Sequence, residues 1–303
     1  MIEISIMGTQ HTAASPRYVI VSPVRDEERH LEFTLESVIN QTLKPMLWVI
    51  VNDGSTDGTG KILDRYSAQF SWIKVVHRKN RGYRAAGGGV IEAFYEGYYC
   101  INDDSWDFLV KLDGDLSFGP DYFEKCFLCF SGDDELGIGG GTVYISRNDQ
   151  LTVDSVGDPP FHVRGATKIY RRACWEKISP LVKAPGWDTI DEVKANFCGW
   201  STRTFPDIRV LQHKPTGGGG GNWPNWFKNG LANYVAGYHP MFMLAKCVKR
   251  GFRKPFLITS AALLAGFCSG YVKRKPRVQD KAVIRYLREQ QLRRLVRRPS
   301  IYG

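Results

Sequence analysis

The chain has 303 residues, 43% hydrophobic and 24% charged, which excludes a disordered or fibrous chain and leaves room for one large α/β domain with an appendage or two modest domains. Its net charge of +10 is uneven: from Lys246 onward 16 Lys and Arg face only Asp280 and Glu289, so that segment carries +14 and the preceding 245 residues −4. This distribution excludes a uniformly basic protein and points to one surface that meets an anionic partner, either a membrane or a nucleic acid.

Residues 1–16 read as a leader, without the basic region and apolar core of a signal peptide. Tyr18 to Ser22 (YVIVS) predicts a short buried strand that ends in the polar loop Pro23 to Glu28. Leu31, Leu35, Val38 and Ile39 then share one helical face. Met46 to Val51 predicts a second strand, stopped by Asn52-Asp53-Gly54-Ser55, after which Thr56 or Asp57 caps a helix running through Tyr66. Ile73 to Val76 is a third strand, Arg84 to Tyr99 a helix, and Trp106 to Leu112 a fourth strand ending in Asp113-Gly114-Asp115. Strands separated by helices imply parallel βαβ units, whose ligands bind beyond the carboxyl ends of the strands. The loops 23–28, 52–57, 78–84 and 113–115 all fall on that edge.

The second half is less regular. Gly137 to Ile145, Ala166 to Tyr170 and Ile208 to Leu211 read as strands, and Trp187 to Gly199 holds a helix whose start is rich in carboxylates. Gly217 to Gly221 is a run of five glycines that reads as a hinge. The seven cysteines are odd in number and scattered, as in a reducing compartment. Cys126-x-x-Cys129 stands without a second pair, so it reads as two small buried residues on a helix and not as a metal half-site.

Two carboxylates one residue apart at a strand end, Asp113 and Asp115, can converge on a hard divalent cation that also carries phosphate oxygens. Alone, D-x-D occurs in many surface loops; here it follows a hydrophobic strand in line with three other loops. Asn52 to Thr59 (NDGSTDGT) is a capped turn, in which Asp53 sits where a carboxylate can hydrogen-bond a base or ribose.

In this order and spacing, SPVRDEE, VNDGSTDGT, NRGYRAAGGG and KLDGD resemble an inverting family 2 glycosyltransferase of the GT-A fold. The likeness runs from Tyr18 to about Thr216 and takes in RGATKIYRR and GWDTIDE. Where that family's first loop usually reads P-x-x-N-E-E, Asp26 replaces the Asn, with Pro23, Glu27 and Glu28 in register. The resemblance implies an α/β, Rossmann-like nucleotide-diphospho-sugar transferase fold with a mostly parallel central sheet over residues 17–216. It further implies that Pro23 and Glu27 line the nucleotide pocket and that Asp53 meets the base, usually uracil. Asn80, Gly82 and Arg84 would pack a loop near the nucleotide. Asp113 would meet the ribose, and Asp115 would meet a Mg²⁺ or Mn²⁺ and the diphosphate.

A single displacement at the anomeric carbon also requires a base for the acceptor hydroxyl, while leaving-group charge falls to the metal. The candidates are Asp188, Asp191 and Glu192; the family's Glu-Asp-x-Asp is spaced differently, and Asp191 is taken first, then Asp188. An acidic helix start is also good capping chemistry, but it does not account for three carboxylates beside a Trp. His213, late in the chain at a strand end, is a second candidate metal ligand, as in several related folds, and otherwise a structural histidine. Lys214 and the glycine run could close over the diphosphate.

Residues 217–303 form the expected extension. Phe256 to Val272 is 17 residues without a charge, at the lower edge of a spanning helix, with basic residues on both sides. Asp280 to Val296 places Val283, Leu287, Leu292 and Leu295 among Lys and Arg, as in a helix drawn to anionic lipid. The expected partners are a UDP-linked sugar donor, a glycan or lipid-linked acceptor and a membrane surface, with no nucleic acid. The expected place is the cytoplasmic face of the cell (inner) membrane, peripheral or re-entrant. Two other readings are a sugar nucleotidyltransferase, for which SPVRDEE lacks the Gly-rich nucleotide loop, and a nucleic-acid binder, for which the tail lacks interleaved aromatics.

Overall fold

The computed structural model describes residues 15–82, 87–147, 150–154, 156–214, 222–252 and 257–303. Arg84, most of the leader and the Gly217–Gly221 run lie outside them. The first half follows the apolar runs: β1 (Tyr18–Val24), α1 (Leu31–Ile39), β2 (Leu47–Asn52), α2 (Thr59–Gln69), β3 (Ile73–His77), α3 (Gly88–Tyr98) and β4 (Phe108–Leu112). Then come β5 (Leu116–Phe118), α4 (Tyr122–Ser131), β6 (Leu136–Arg147), β7 (Gln150–Val153), β8 (Thr167–Arg171), α5 (Arg172–Ile178), α6 (Trp187–Phe197) and β9 (Ser201–Gln212). Four helices close the chain: α7 (Asn222–Val235), α8 (Pro240–Gly251), α9 (Ile258–Val272) and α10 (Lys281–Leu295).

The strands form one sheet in the order β3-β2-β1-β4-β8-β6-β9-β5, with β7 paired to β6. The strands β1 to β4 are parallel, as the βαβ pattern predicts. The expectation of a mostly parallel sheet fails beyond them: β8 runs antiparallel to β4 and β6, β5 antiparallel to β9, and β7 antiparallel to β6, so the sheet is mixed. For β7 the reason is connection length. A parallel return needs a crossover of about a dozen residues or more, and the link from β6 to β7 is too short for one.

Alternate residues of the strands feed two cores. Ile20, Ile50 and Val110 pack under Leu35 of α1, Leu63 of α2 and Phe127 of α4. Val19, Val21 and Leu109 pack against Phe94 of α3, Trp175 of α5 and Trp187 of α6. Both faces are thus covered, which is why these strands read as unbroken apolar runs.

The last four helices share a core with α6. Ile190 and Val193 of α6 pack with Tyr234 of α7, Met243 of α8, Phe267 of α9, Leu287 of α10 and Tyr302. Helix α9 lies unusually close to α7, because a Cβ on Gly266 would fall 2.0 Å from the Phe227 carbonyl oxygen and one on Gly230 1.9 Å from that of Leu263. The glycines of the uncharged segment therefore serve protein packing. Among the described residues no helix is long and apolar enough to cross a membrane.

Candidate active site

Because β1 to β4 are parallel, their carboxyl ends open on one edge, and the loops that follow brace one another there. Asp26 adopts a left-handed backbone, φ +54°, a region that Asn and Asp enter far more readily than most residues. Its Oδ1 accepts from the Thr56 N–H at 2.9 Å and its own N–H donates to Ser55 Oγ at 3.0 Å. Asn and Asp both meet those demands, so the departure from the family pattern at this position is conservative. Glu28 completes the brace by accepting from the Gly58 N–H at 3.0 Å.

Pro23 is buried near the end of β1, opposite Val51. Asp53, just past β2, is held by two guanidiniums: Arg78 Nη1 reaches Oδ1 and Arg81 Nη2 reaches Oδ2, each at 2.5 Å. These arginines also pair with Glu96 and Glu92 of α3, both at 2.6 Å, so the strand end is tied to that helix. Asn80 Oδ1 accepts from Arg25 at 3.1 Å and from the Gly82 N–H at 2.8 Å. Its backbone lies against Gly54, where φ is +68° and a Cβ would sit 2.5 Å from Asn80 Cα, so only glycine fits. Pro23, Asp53 and Asn80 are thus assembled at one end of the edge.

At its other end three carboxylates interact. Asp113, anchored by its N–H to the Ala166 carbonyl at 2.8 Å, pairs with Lys111 Nζ, which also donates to the Gly165 carbonyl at 2.5 Å. Asp115 is 5% exposed and accepts from Gln212 Nε2 at 3.1 Å. Burial first, and then the charges of Asp113 and Glu27, push the Asp115 carboxyl up to about 7. Glu27 is raised as well, chiefly by burial. Its Oε1 accepts from Lys214 Nζ at 2.9 Å, while Oε2 is buried without a hydrogen-bond partner.

A buried unpartnered carboxylate oxygen beside two further carboxylates is a cradle with surplus negative charge, and it suits a divalent cation. Among the described residues no three His, Cys, Asp or Glu side chains are set to hold a metal by themselves. His213 donates its backbone N–H to the Asp115 carbonyl at 2.8 Å, hydrogen-bonds Ser117 Oγ through Nε2 at 2.9 Å, and stacks on Phe33 at 4.2 Å. Burial and His30 lower its pKa, which keeps the ring neutral at pH 7.

The carboxylates at the acidic start of α6 differ in burial and partners. Asp191, taken first as the base, is 3% exposed and faces the core. Lys168 Nζ donates to both of its oxygens at 2.8 and 2.9 Å, and the Tyr170 hydroxyl to Oδ2 at 2.7 Å. Glu192 is equally buried, bonded to Lys168, to His162 Nδ1 at 2.9 Å and to the Val163 N–H at 2.7 Å. Helical spacing turns both residues inward, where they share one ammonium. Asp188, half-buried on the first turn, lies instead against Gly165, whose carbonyl holds Lys111 and through it Asp113. A Cβ on Gly165 would lie 3.3 Å from Asp188 Oδ2.

Sequence reasoning passed over Lys111, Lys168, Arg78 and Arg81. The first two carried a signal, since a lysine inside an apolar strand must be paired if it is to be buried. The arginines were signalled only by the place of the 78–84 loop on the carboxyl edge.

The fold is GT-A-like, with carboxylates and basic side chains at the carboxyl edge of its parallel strands. Residues 19–178 match the family model described as glycosyl transferase family 2. The chain belongs to that family. Glycosyltransferase GlyA of Streptococcus pneumoniae serotype 4 is 32% identical over 111 residues, 37% of this chain and 14% of that protein. A cholesterol galactosyltransferase of Borreliella burgdorferi is 36% identical over 78 residues, 25% of this chain and 21% of that protein. The chain thus spans under a quarter of the length of both relatives. In fold, it is similar to a Pyrobaculum calidifontis mannosyltransferase in complex with GDP-Man and Mn²⁺, with a TM-score of 0.56 at 16% identity, covering 85% of this chain and 75% of that one. It is similar also to S. aureus TarS 1–349 in complex with UDP-GlcNAc, with a TM-score of 0.52 at 15% identity, covering 93% and 86%.

Proposed function

We propose that the protein transfers a sugar from a UDP-linked donor to a hydroxyl of a lipid-linked or polysaccharide acceptor, with inversion, at the cytoplasmic face of the cell membrane. The observation that carries this reading is the meeting of Glu27, Asp113 and Asp115, with one buried oxygen unpartnered, at the edge where the parallel strands end. The fold neighbours in complex with GDP-Man and Mn²⁺ and with UDP-GlcNAc support it.

Asp53, held by Arg78 and Arg81, contacts the base, and Pro23 and Asn80 shape that end of the pocket. Asp113 meets the ribose. Asp115, with His213 beside it, would hold Mg²⁺ or Mn²⁺, which when bound supplies positive charge to the leaving diphosphate. Lys214, now on Glu27, is free to turn to a phosphate once that carboxylate is neutralised. Asp188 takes the proton of the acceptor hydroxyl as its oxygen bonds to the anomeric carbon. The sugar–phosphate bond breaks in the same step and the nucleoside diphosphate leaves with the electron pair.

The test is a panel of UDP- and GDP-sugars offered to the full chain with Mn²⁺, with Mg²⁺ or with EDTA, read by nucleoside diphosphate release and by thermal shift. A UDP-sugar that stabilises the protein and is turned over only with metal is the expected result. If no donor stabilises or is consumed with either metal, the reading fails.

A further inference from the structure

Helix α9 uses its inner face, Leu263, Gly266, Phe267 and Gly270, against α7, which leaves a second face without a partner among the described residues. Ile258, Leu264 and Val272 are exposed along it. Helix α8 joins α9 through Ser260 Oγ, which donates to the Cys247 carbonyl at 2.6 Å, and it too carries an exposed apolar stripe: Met241, Leu244 and Val248. Phe252 and Leu257, at the facing ends of the two helices, are 79% and 71% exposed. Apolar side chains on one helix face at positions i, i+3 and i+7, continued by a neighbouring helix, form a contiguous patch of the kind that meets another surface.

The charge beside this patch decides what that surface is. Met241 also borders an open groove of about 1330 Å³ along α10. It is lined by Ile284, Leu292 and Val296 and by Lys281, Arg285 and Arg293 among other cations, with one acid, Glu289, paired to Arg293. Lys273, Arg274 and Lys275 are exposed at the end of α9. Apolar and cationic lining together match phosphate headgroups above acyl chains; a nucleic acid would leave the α8 and α9 stripes facing water.

We infer that α8, α9 and the α10 groove form one docking face for an anionic phospholipid bilayer, entered from the side and not crossed. Exposed side chains of α8 and α9 sink into the headgroup boundary while the α10 cations hold lipid phosphates. The inference stands apart from the donor chemistry, because none of these residues belongs to the catalytic edge.

The experiment is sedimentation of the full chain with vesicles of phosphatidylcholine alone or with one-third phosphatidylglycerol, across a salt series, with UDP-sugar turnover measured on each protein without vesicles. The wild type should partition to the anionic vesicles, weakly to the neutral ones, and less as salt rises. Leu244→Glu with Val248→Glu should abolish binding at physiological salt. Lys281→Glu with Arg285→Glu and Arg293→Glu should weaken it by about 100-fold or more, at roughly fivefold per charge removed. Unchanged melting and turnover of both variants would establish that they fold. Turnover without vesicle binding overturns this inference, and with it the membrane location, and leaves the proposed sugar transfer standing; binding without turnover does the reverse. Binding lost on charge reversal yet indifferent to Val248→Glu overturns the bilayer in favour of a soluble polyanion. A dimer that the apolar variants dissolve, with no vesicle binding, assigns the face to a second copy and overturns it too.

Discussion

Asp115→Asn should stabilise the metal-free protein while ending its metal-dependent function. The wild-type carboxyl is buried and its pKa is pushed from 3.8 up to about 7, by burial first and then by Asp113 and Glu27. Because the folded-state value is the higher one, the penalty is absent below about pH 4, grows as pH rises to about 7, and is constant above. Three pKa units at 1.36 kcal/mol each amount to about 4 kcal/mol at pH 8. Asparagine keeps the shape and still accepts from Gln212, but it has no charge to bury. At roughly 2 °C per kcal/mol, the variant should melt about 8 °C above the wild type at pH 8, in EDTA, and within a degree or two of it at pH 4. Adding Mn²⁺ with UDP should raise the wild-type midpoint and leave that of the variant unmoved. Melting curves that run parallel from pH 4 to 8 would refute the electrostatic argument, and Mn²⁺-dependent stabilisation of Asp115→Asn by UDP would refute the metal assignment.

Asp188→Asn should lower transfer by about 100-fold or more with donor affinity unchanged, whereas Asp191→Asn should keep transfer within a few-fold; steady-state kinetics on both variants decides between them. Lys168→Met leaves Asp191 and Glu192 buried without their shared ammonium and should cost about 3 kcal/mol or more in urea unfolding. Asp53→Ala should weaken UDP binding by about 10- to 150-fold in EDTA as well as in Mn²⁺, since one charge-assisted hydrogen bond to the base is worth about 1.5–3 kcal/mol; calorimetry in both buffers is the check. Gly266→Leu forces side-chain atoms into the Phe227 carbonyl and should lower the melting midpoint by several degrees, as overpacking costs about 1–3 kcal/mol. Ending the chain after Lys275 exposes Ile190 and Val193 of α6 and should lower donor turnover together with stability, measured on the same preparation.

Much of the first half is legible in the residues. Apolar runs closed by polar loops mark β1 to β4, and the helices between them force parallel pairing, so the loops carrying Pro23, Asp53, Asn80 and Asp113 must share an edge. The mixed second half is less legible, because β5, β8 and β9 are paired by partners far along the chain and not by any local period. The acidic run of α6 shows the same limit at the level of one residue. Asp188, Asp191 and Glu192 are chemically alike in the sequence. What separates them is the face of the helix each occupies and the position of Lys168, which arrives from β8.

The uncharged segment tells the same story at larger scale. Its length and flanking charges point to a membrane, while its glycines turn out to bring α9 onto α7, an arrangement that depends on a helix more than 30 residues earlier. Sequence alone determined the family, the parallel half of the sheet and the carboxylates at its edge, because these follow from local periodicity and from motifs whose order the chain preserves. Tertiary structure alone decided which acids of α6 are buried on Lys168, which cations pair with Asp53 and Asp113, and which faces of the last helices are exposed among the described residues. Those outcomes depend on long-range packing, which sets burial and charge pairing and leaves no periodic trace in the chain.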